Sequence, residues 1–299
     1  MSTASCSALS LALEEPLFAT ASEAAAWLLV EQTGPWGHSA LVESRLDRRV
    51  GAELQARTKK LGIKALLVKS PGDSSGSRRC FLGRSDQPSP YLDEHELERD
   101  DDLLALDLEA LARGERLVGG RPVDGPLYLV CTNSRRDACC ARLGRPVARA
   151  LAEARPGRVW ECSHLGGHRF AANLVCFPDG LWFGRLTPEE ALAVAAEYEA
   201  GRIRLPFLRG NSSLSPAAQA ADYFVRREEG LLGVSDLVLE RIEAEGSEVA
   251  ATLRNGGSRF HVRVSGSEGE PPRAVSCRED KQERPLVWSL SALEREPAA

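Results

Sequence analysis

The distribution of hydrophobic and polar positions divides this chain into three blocks. In the first block, short apolar runs at 27–31, 64–69 and 79–83 are separated by two segments, 46–61 and 93–117, with apolar residues every three or four positions. Short apolar runs indicate strands, and the three-to-four spacing indicates amphipathic helices. The predicted order is therefore strand, helix, strand, strand, helix. A Pro-, Gly- and Ser-rich connection at 70–77 follows the second strand.

The second block repeats that order. It is predicted to begin with a strand at 127–131, a helix at 141–154 and a strand at 158–163. A hairpin of two strands, 170–177 and 181–186, follows. A helix then closes the block, because Thr187 is a suitable N-cap, Pro188 stands at the first helical position and Glu190 completes a capping box. Gly201 ends this helix.

The pattern changes after Pro206. A helix is predicted at 217–228, a hairpin at 248–253 and 260–264, and further strands near 274–277 and 286–290. These elements form a small α+β tail. Its sequence discloses no function.

A strand–helix–strand unit followed by a hairpin and a helix is the thioredoxin-like order. The two copies also align loosely, since LLVE ending at Glu31 matches YLVC ending at Cys131. Only the second copy carries a cysteine there, so the first is interpreted as degenerate. The predicted fold is α/β, with a degenerate thioredoxin-like half at 1–120, a second thioredoxin-like domain at 121–205 and the small α+β tail at 206–299.

Composition and charge narrow the function. The 299 residues are 43% hydrophobic and 27% charged, as in folded globular proteins of two or three domains. The formal net charge of −5 argues against nucleic-acid binding and is compatible with a basic protein partner. No apolar run is long enough for a membrane span, and the N-terminus lacks the basic start of a secretory signal. We therefore expect a cytoplasmic protein with reduced cysteines.

One constellation carries recognisable chemistry. Cys131 ends a predicted strand and Cys140 opens the following helix, while His164 and His168 leave the next strand separated by two glycines. Loops that follow parallel strands lie at the same end of the sheet, so we expect the four side chains to converge. Two sulfur and two nitrogen ligands suit either a [2Fe–2S] cluster or a tetrahedral zinc ion.

The same residues resemble a known family. The features are the Cys-x8-Cys spacing, Asp137 three residues before Cys140, the SHLGGHRFAAN stretch at 163–173, the FGR at 183–185 and the GPWG at 34–37. They resemble the sucrase/ferredoxin-like proteins, which are similar to thioredoxin-like [2Fe–2S] ferredoxins, and the resemblance covers roughly residues 6–290. One departure is that Cys139 stands beside Cys140, where many relatives have a single cysteine.

The resemblance implies that 121–205 is a thioredoxin-like [2Fe–2S] ferredoxin domain, and it also implies a ligand set and a function. The cluster ligands would be Cys131, Cys140, His164 and His168, and the protein would be a one-electron carrier or reductase component rather than a stand-alone enzyme. A redox partner protein is implied, because no flavin or nicotinamide motif is present. Local proximity suggests that the cysteines bind one iron and the histidines the other. Supporting residues are expected to be Asp137, Ser163 and Arg169.

Two alternatives stay open on the sequence. The same four residues could hold zinc, or the motif could be vestigial in a non-catalytic thioredoxin-like interaction module. The other cysteines are interpreted more simply: Cys162 as a small core residue, and Cys6, Cys80, Cys176 and Cys277 as free thiols.

Overall fold

The first block has the predicted thioredoxin-like topology. The structure, a computed structural model, describes residues 5–71, 79–278 and 281–297, so most of the predicted 70–77 connection lies outside the described residues. The first block consists, in chain order, of α1 (Cys6–Ala12), β1 (Ala26–Glu31), α2 (Ala40–Glu43), α3 (Arg48–Leu61), β2 (Ile63–Lys69), β3 (Arg79–Arg84), β4 (Tyr91–Glu96), α4 (Asp102–Ala105), α5 (Leu108–Arg113) and β5 (Arg121–Pro122). Strands β1 and β2 are parallel, whereas β3, β4 and β5 add to β1 in antiparallel order.

The second block repeats the topology. It consists of β6 (Leu127–Cys131), α6 (Ala138–Ala154), β7 (Val159–Cys162), β8 (Leu174–Phe177), β9 (Leu181–Phe183), α7 (Pro188–Glu199) and β10 (Leu208–Asn211), with short 3-10 helices at His168–Phe170 and Leu205–Phe207. Strands β6 and β7 are parallel, and β8 and β9 continue antiparallel from β6. The capping box of Thr187 and Glu190 is present at the start of α7, as predicted.

The two halves share one sheet. Strands β2 and β7 pair antiparallel through Val68 with Cys162 and Lys69 with Glu161, which joins ten strands of the described chain into one sheet. The sheet curls, so that Trp27 of β1 packs edge-on against Phe177 of β8 with ring centroids 4.8 Å apart. Helices α3 and α5 cover one half and α6 and α7 the other, while the inner faces of both halves form a common core.

The tail is a separate α+β layer, as predicted. It consists of α8 (Pro216–Glu229), β11 (Val238–Glu245), β12 (Glu248–Asn255), β13 (Ser258–Glu268), β14 (Arg273–Ala274), β15 (Gln282–Glu283) and β16 (Leu286–Glu296). Strands β11, β12, β13 and β16 form an antiparallel sheet, and α8 packs Phe224 and Val225 against Phe260 and Val262. Strand β10, although it follows Pro206, pairs with β9 in the large sheet. The three-part division at 120 and 205 stays a prediction.

One predicted element was wrong. The segment 93–117 is not a helix: its start belongs to strand β4, and only the short helices α4 and α5 follow. Strand β4 pairs with β3 along its whole length, and its Asp93 is buried against Arg116. Cross-strand pairing and a buried ion pair therefore override the acidic, leucine-spaced pattern that indicated a surface helix.

Two chain-wide features bear on the predictions. Every cysteine is a free thiol, and seven of the eight are buried. Within the ranges that the structure describes, none of the helices combines the length and the apolar character needed to cross a bilayer.

Candidate metal centre

The two cysteines of the motif lie at a strand end and a helix start. Cys131 is the last residue of β6 and Cys140 lies in the first turn of α6, and both are buried. The carboxylate of Asp137 fixes this turn by accepting a hydrogen bond from the Cys139 amide at 2.8 Å. Gly144 lets the helix approach β6 closely, since a Cβ there would lie 2.2 Å from the Cys131 carbonyl oxygen.

The two histidines are placed by the loop after β7. Gly166 and Gly167 have φ of 113° and 69°, a left-handed conformation that glycine adopts without strain. The turn stacks the imidazoles of His164 and His168, with ring centroids 4.4 Å apart and planes 19° apart. Both rings therefore face the same side of the loop.

The structure brings all four predicted residues together. The ligand atoms of Cys131, Cys140 and His164 lie within 4.8 Å of one another, and His168 Nδ1 is 3.5 Å from Cys140 Sγ. His164 Nδ1 is buried, and no described residue gives it a hydrogen bond. An orphaned imidazole nitrogen beside two thiols is a donor set that suits iron or zinc. The residues present thus fit a [2Fe–2S] cluster.

The protonation states also suit ligation. Hydrogen bonds from the thiols of Cys140 and Cys162 hold the pKa of Cys131 well below its usual range, although burial acts the other way. The pKa of Cys140 is raised by its hydrogen bond to Cys131 and by burial. Burial, with a contribution from His164, lowers the pKa of His168 to about 4. The lowered pKa of Cys131 favours its thiolate form, and the lowered pKa of His168 favours the neutral imidazole, whose free lone pair can bind a metal.

The site is asymmetric in its exposure to solvent. The side chains of Cys131 and Cys140 are at most 1% exposed, His168 is 8% exposed and His164 is half-buried. The sulfur side of the site is therefore interior. The imidazole side lies nearer the surface.

The supporting residues take different roles from one another. Ser163 links the two halves, because its amide donates to the Leu67 carbonyl at 2.9 Å and its hydroxyl accepts from the Leu67 amide at 3.2 Å. Arg169 forms an ion pair with the buried Glu15 at 2.8 Å. Asp137 caps α6 and does not contact Cys131 or Cys140 in the described hydrogen-bond network.

Arg209 is a site residue that the sequence interpretation missed. It is 1% exposed, and its guanidinium donates to the Gly166 carbonyl at 3.2 Å and to Asn173 Oδ1 at 2.8 Å. The Asn173 amide in turn donates to the Gly167 carbonyl at 3.0 Å. These bonds hold the two-glycine loop that presents the histidines. The only sequence signal was an arginine placed inside a short apolar run.

Cys139 faces away from the other cysteines of the motif. Its Sγ contacts Cys6 and Cys277, whereas Cys140 faces Cys131 and His168. Because consecutive residues in a helix point about 100° apart, the thiols of Cys139 and Cys140 contact different sets of residues.

Cys162 lies on the site side of its strand. It is paired with Cys131 in the parallel β6–β7 register. The interpretation of Cys162 as a buried core residue agrees with its zero exposure. It is also a direct neighbour of the proposed ligands.

Known relatives match parts of this chain. The altered inheritance of mitochondria protein 32 of Saccharomyces cerevisiae is 29% identical over 101 residues, which cover 29% of this chain and 32% of the relative; its Saccharomyces kudriavzevii counterpart matches to the same extent. The aligned part thus spans about a third of the length of these curated relatives. A cysteine-to-serine variant of the thioredoxin-like [2Fe–2S] ferredoxin from Aquifex aeolicus is 19% identical with a TM-score of 0.26, covering 28% of this chain and 97% of the ferredoxin.

The family itself is established by a longer match. The model of the sucrase/ferredoxin-like family matches residues 17–210, which contain both thioredoxin-like halves and the complete two-cysteine, two-histidine motif. This stretch is about two thirds of the chain. The protein therefore belongs to the sucrase/ferredoxin-like family.

Proposed function

We propose that this protein is an electron-transfer protein that holds a [2Fe–2S] cluster through Cys131, Cys140, His164 and His168. The observation that carries the proposal is the convergence of these side chains from two loops, with a buried His164 nitrogen that has no described partner. When bound, the cluster supplies one-electron redox chemistry at a potential above that of all-cysteine plant-type ferredoxins. The protein acts as a carrier or reductase component in the cytoplasm.

The proposed ligands lie on two sides of the site, one buried and one nearer solvent. Cys131 and Cys140 supply thiolates from the buried side, where water is excluded. His164 and His168 supply neutral imidazoles on the side nearer solvent. We assign the cysteine pair to one iron and the histidine pair to the other. On each imidazole, the ring nitrogen that is not a ligand can hold or release a proton, which couples protonation to the charge of the site.

The proposed redox partner has an acidic surface. Five exposed arginines line an open groove along α6 and the adjoining tail loop: Arg135, Arg142, Arg145, Arg149 and Arg278. Within the described part of the chain, none of them forms an ion pair. The net charge of −5 is compatible with a basic partner, but the charge beside the site is locally positive. This positive field would steer an acidic partner toward the helix that carries Cys140.

Two inorganic oxidants test this surface. Ferricyanide is an anion and hexaammineruthenium(III) is a cation, so a positive face accelerates electron transfer to the former alone. We expect the rate at which ferricyanide oxidises the reduced protein to fall as the ionic strength rises. The same rate should be lower in R145E/R149E than in the wild type, with R241E in the tail as the control. Equal salt dependence for both oxidants would contradict the proposed partner.

The cofactor is tested by composition and colour. Protein purified under anaerobic conditions should be red-brown, with about two irons and two sulfides per chain. The H164A/H168A variant should lose most of the iron and the visible spectrum, whereas H261A, in the tail sheet, should keep both. Iron retained in H164A/H168A would refute the ligand assignment.

A zinc site on the same residues is the second candidate. The ligand atoms of Cys131, Cys140 and His164 lie within 4.8 Å of one another, and this spacing also suits a single tetrahedral ion. A colourless protein with stoichiometric zinc that is lost in H164A/H168A would establish this alternative. Full stability with neither metal in the wild type would instead indicate an interaction module.

A further inference from the structure

Three cysteines from distant parts of the chain meet beside the site described above. Cys6 is the first residue of α1, Cys139 lies in the first turn of α6, and Cys277 lies in the tail loop between β14 and β15. Their sulfurs form a nearly equilateral triangle: 3.6 Å from Cys6 to Cys139, 3.3 Å from Cys139 to Cys277 and 3.4 Å from Cys277 to Cys6. More than 130 residues separate each from the next along the sequence.

The size of this triangle matches one metal ion. In a tetrahedral zinc site with Zn–S bonds of about 2.3 Å, neighbouring sulfurs are about 3.8 Å apart. Bonded disulfide sulfurs are only about 2.0 Å apart. The observed spacings therefore exceed a covalent bond and approach the edge of a single tetrahedron.

A carboxylate completes the group. The ligand oxygen of Asp137 lies within 4.8 Å of all three sulfurs, and its Oδ2 is 4.0 Å from Cys6 Sγ. Asp137 also orients the other members, because its Oδ2 accepts from the Cys277 amide and the Ser276 hydroxyl, each at 2.9 Å. Its Oδ1 accepts from the Cys139 amide at 2.8 Å. One carboxylate thus fixes the backbone at two of the three cysteines.

Positively charged side chains lie near enough to offset the negative charge of three thiolates and a carboxylate. Two arginines stand at the rim of the group: Arg142 donates to Ser5 Oγ at 3.1 Å, and Arg278 donates to the Ser134 carbonyl at 3.2 Å. Cys6 and Cys139 are buried, whereas Cys277 is exposed. The exposed member gives an ion a path from solvent.

We propose that Cys6, Cys139 and Cys277, with Asp137 as the fourth ligand, bind one Zn²⁺ ion that is distinct from the cluster site. Cys139 and Cys140 then bind two metal centres from directions about 100° apart around the first turn of α6. The ion fastens the N-terminal segment and the tail loop to the start of α6. The proposal does not depend on the cofactor held by Cys131 and Cys140.

The test measures zinc and iron separately in the full chain. Zinc binding is measured by competition with a chromophoric chelator, and Co²⁺ serves as a spectroscopic probe of thiolate ligation. Wild-type protein should bind one zinc beyond any metal at the cluster site. C6S and C277S should each weaken zinc binding more than about tenfold, with iron content unchanged. C80A, a buried cysteine in β3, is the control and should bind zinc like the wild type.

The two proposed sites are distinguished because the histidine variants should lose iron and the cysteine variants should lose zinc. H164A/H168A should lose iron and keep this zinc, so failure of the proposed cluster leaves the inference testable. C277S replaces an exposed residue, and circular dichroism and thermal unfolding verify that it folds. Unchanged zinc affinity in both C6S and C277S would overturn the proposal. So would a wild-type protein without a thiolate–cobalt absorption band, or one with a disulfide among the three cysteines.

Discussion

Cys162 lies beside the proposed ligands and is not one of them. It lies opposite Cys131 on the neighbouring parallel strand and is fully buried. Burial, together with the hydrogen bond to Cys131, raises the pKa of the Cys162 thiol well above its usual value. The thiol therefore stays protonated beside the Cys131 sulfur.

We expect C162A to keep its iron but to have a more negative reduction potential, because a hydrogen bond to a ligand sulfur is lost. Iron analysis and a spectroelectrochemical titration measure the two effects. C131A is the comparison and should lose the iron. If C162A also loses the iron, Cys162 is a ligand and the assignment of Cys140 needs revision.

At the residue scale, the sequence identified the side chains that converge but not the ones that hold them. Spacing and residue type located Cys131, Cys140, His164 and His168. The support from Arg209 could not be predicted, because it comes from a strand more than 40 residues further along the chain. Nor could spacing reveal that Cys139 faces Cys277, since that contact depends on where the tail loop packs.

At the element scale, Gly144 controls how closely α6 approaches β6. A methyl group there would lie 2.2 Å from the Cys131 carbonyl oxygen, so helix or strand must move. G144A should cost about 1 to 3 kcal/mol of unfolding free energy and should lower iron content, because the two cysteines separate.

Urea unfolding and iron analysis measure both effects of G144A. G157A is the control: Gly157 follows the same helix with φ of 78° and open space around its Cα. It should cost about 1 to 2 kcal/mol through backbone strain and keep the iron. Normal iron content in G144A would show that this contact does not set the cysteine spacing.

An ion pair joins the C-terminal ends of α6 and α7. Arg155 binds Glu199 through two bonds of 2.6 and 2.9 Å, and the Tyr128 hydroxyl donates to the same carboxylate at 2.9 Å. The bond from Arg155 is the main cause of the lowered pKa of Glu199, with a smaller contribution from Tyr128. The carboxylate thus stabilises the fold above its ordinary pKa, and this stabilisation is lost as the pH falls through the lowered value.

We expect E199Q to lower the unfolding free energy by about 1 kcal/mol at pH 7 and to differ less from the wild type as the pH falls through the lowered pKa of Glu199. Urea midpoints at pH 7 and at successively lower pH values measure the change. E197Q is the matched control on α7, because the Arg202–Glu197 pair is more exposed, and its effect should be smaller. A difference for E199Q that persists at low pH would point to packing rather than charge.

The elements themselves were predicted unevenly for a physical reason. Buried strands and capped helices carry local signals, as at Thr187 and in the apolar run of β6. Strand β4 carries no such local signal. Its acidic residues fit a strand only because β4 pairs with β3 and Asp93 pairs with Arg116. Partners distant in sequence decide such elements.

At the scale of the whole molecule, the halves depend on one another. Phe81 of the first half packs edge-on against Trp160 of the second at 5.2 Å, and Trp27 packs against Phe177. Residues 121–210 alone would expose these rings and the free edge of β7. We expect this fragment to aggregate or to lack iron, as shown by size-exclusion chromatography and iron analysis.

The control for this prediction is a protein split between Gly119 and Gly120, next to the 99% exposed Val118. The pieces 1–119 and 120–299, produced together, should copurify with iron, because the cut leaves the shared sheet intact. A soluble, iron-containing 121–210 fragment would show that the second half is self-sufficient.

The antiparallel junction of β2 and β7 has a consequence for dilution. In a protein of two separate chains, such a short junction would come apart at low concentration by mass action. Here one chain supplies both sides, and tethering of this kind corresponds to a local concentration of roughly millimolar. The two halves of the intact protein should therefore stay joined at any dilution, whereas the split pieces should separate as they are diluted and then lose the proposed cluster.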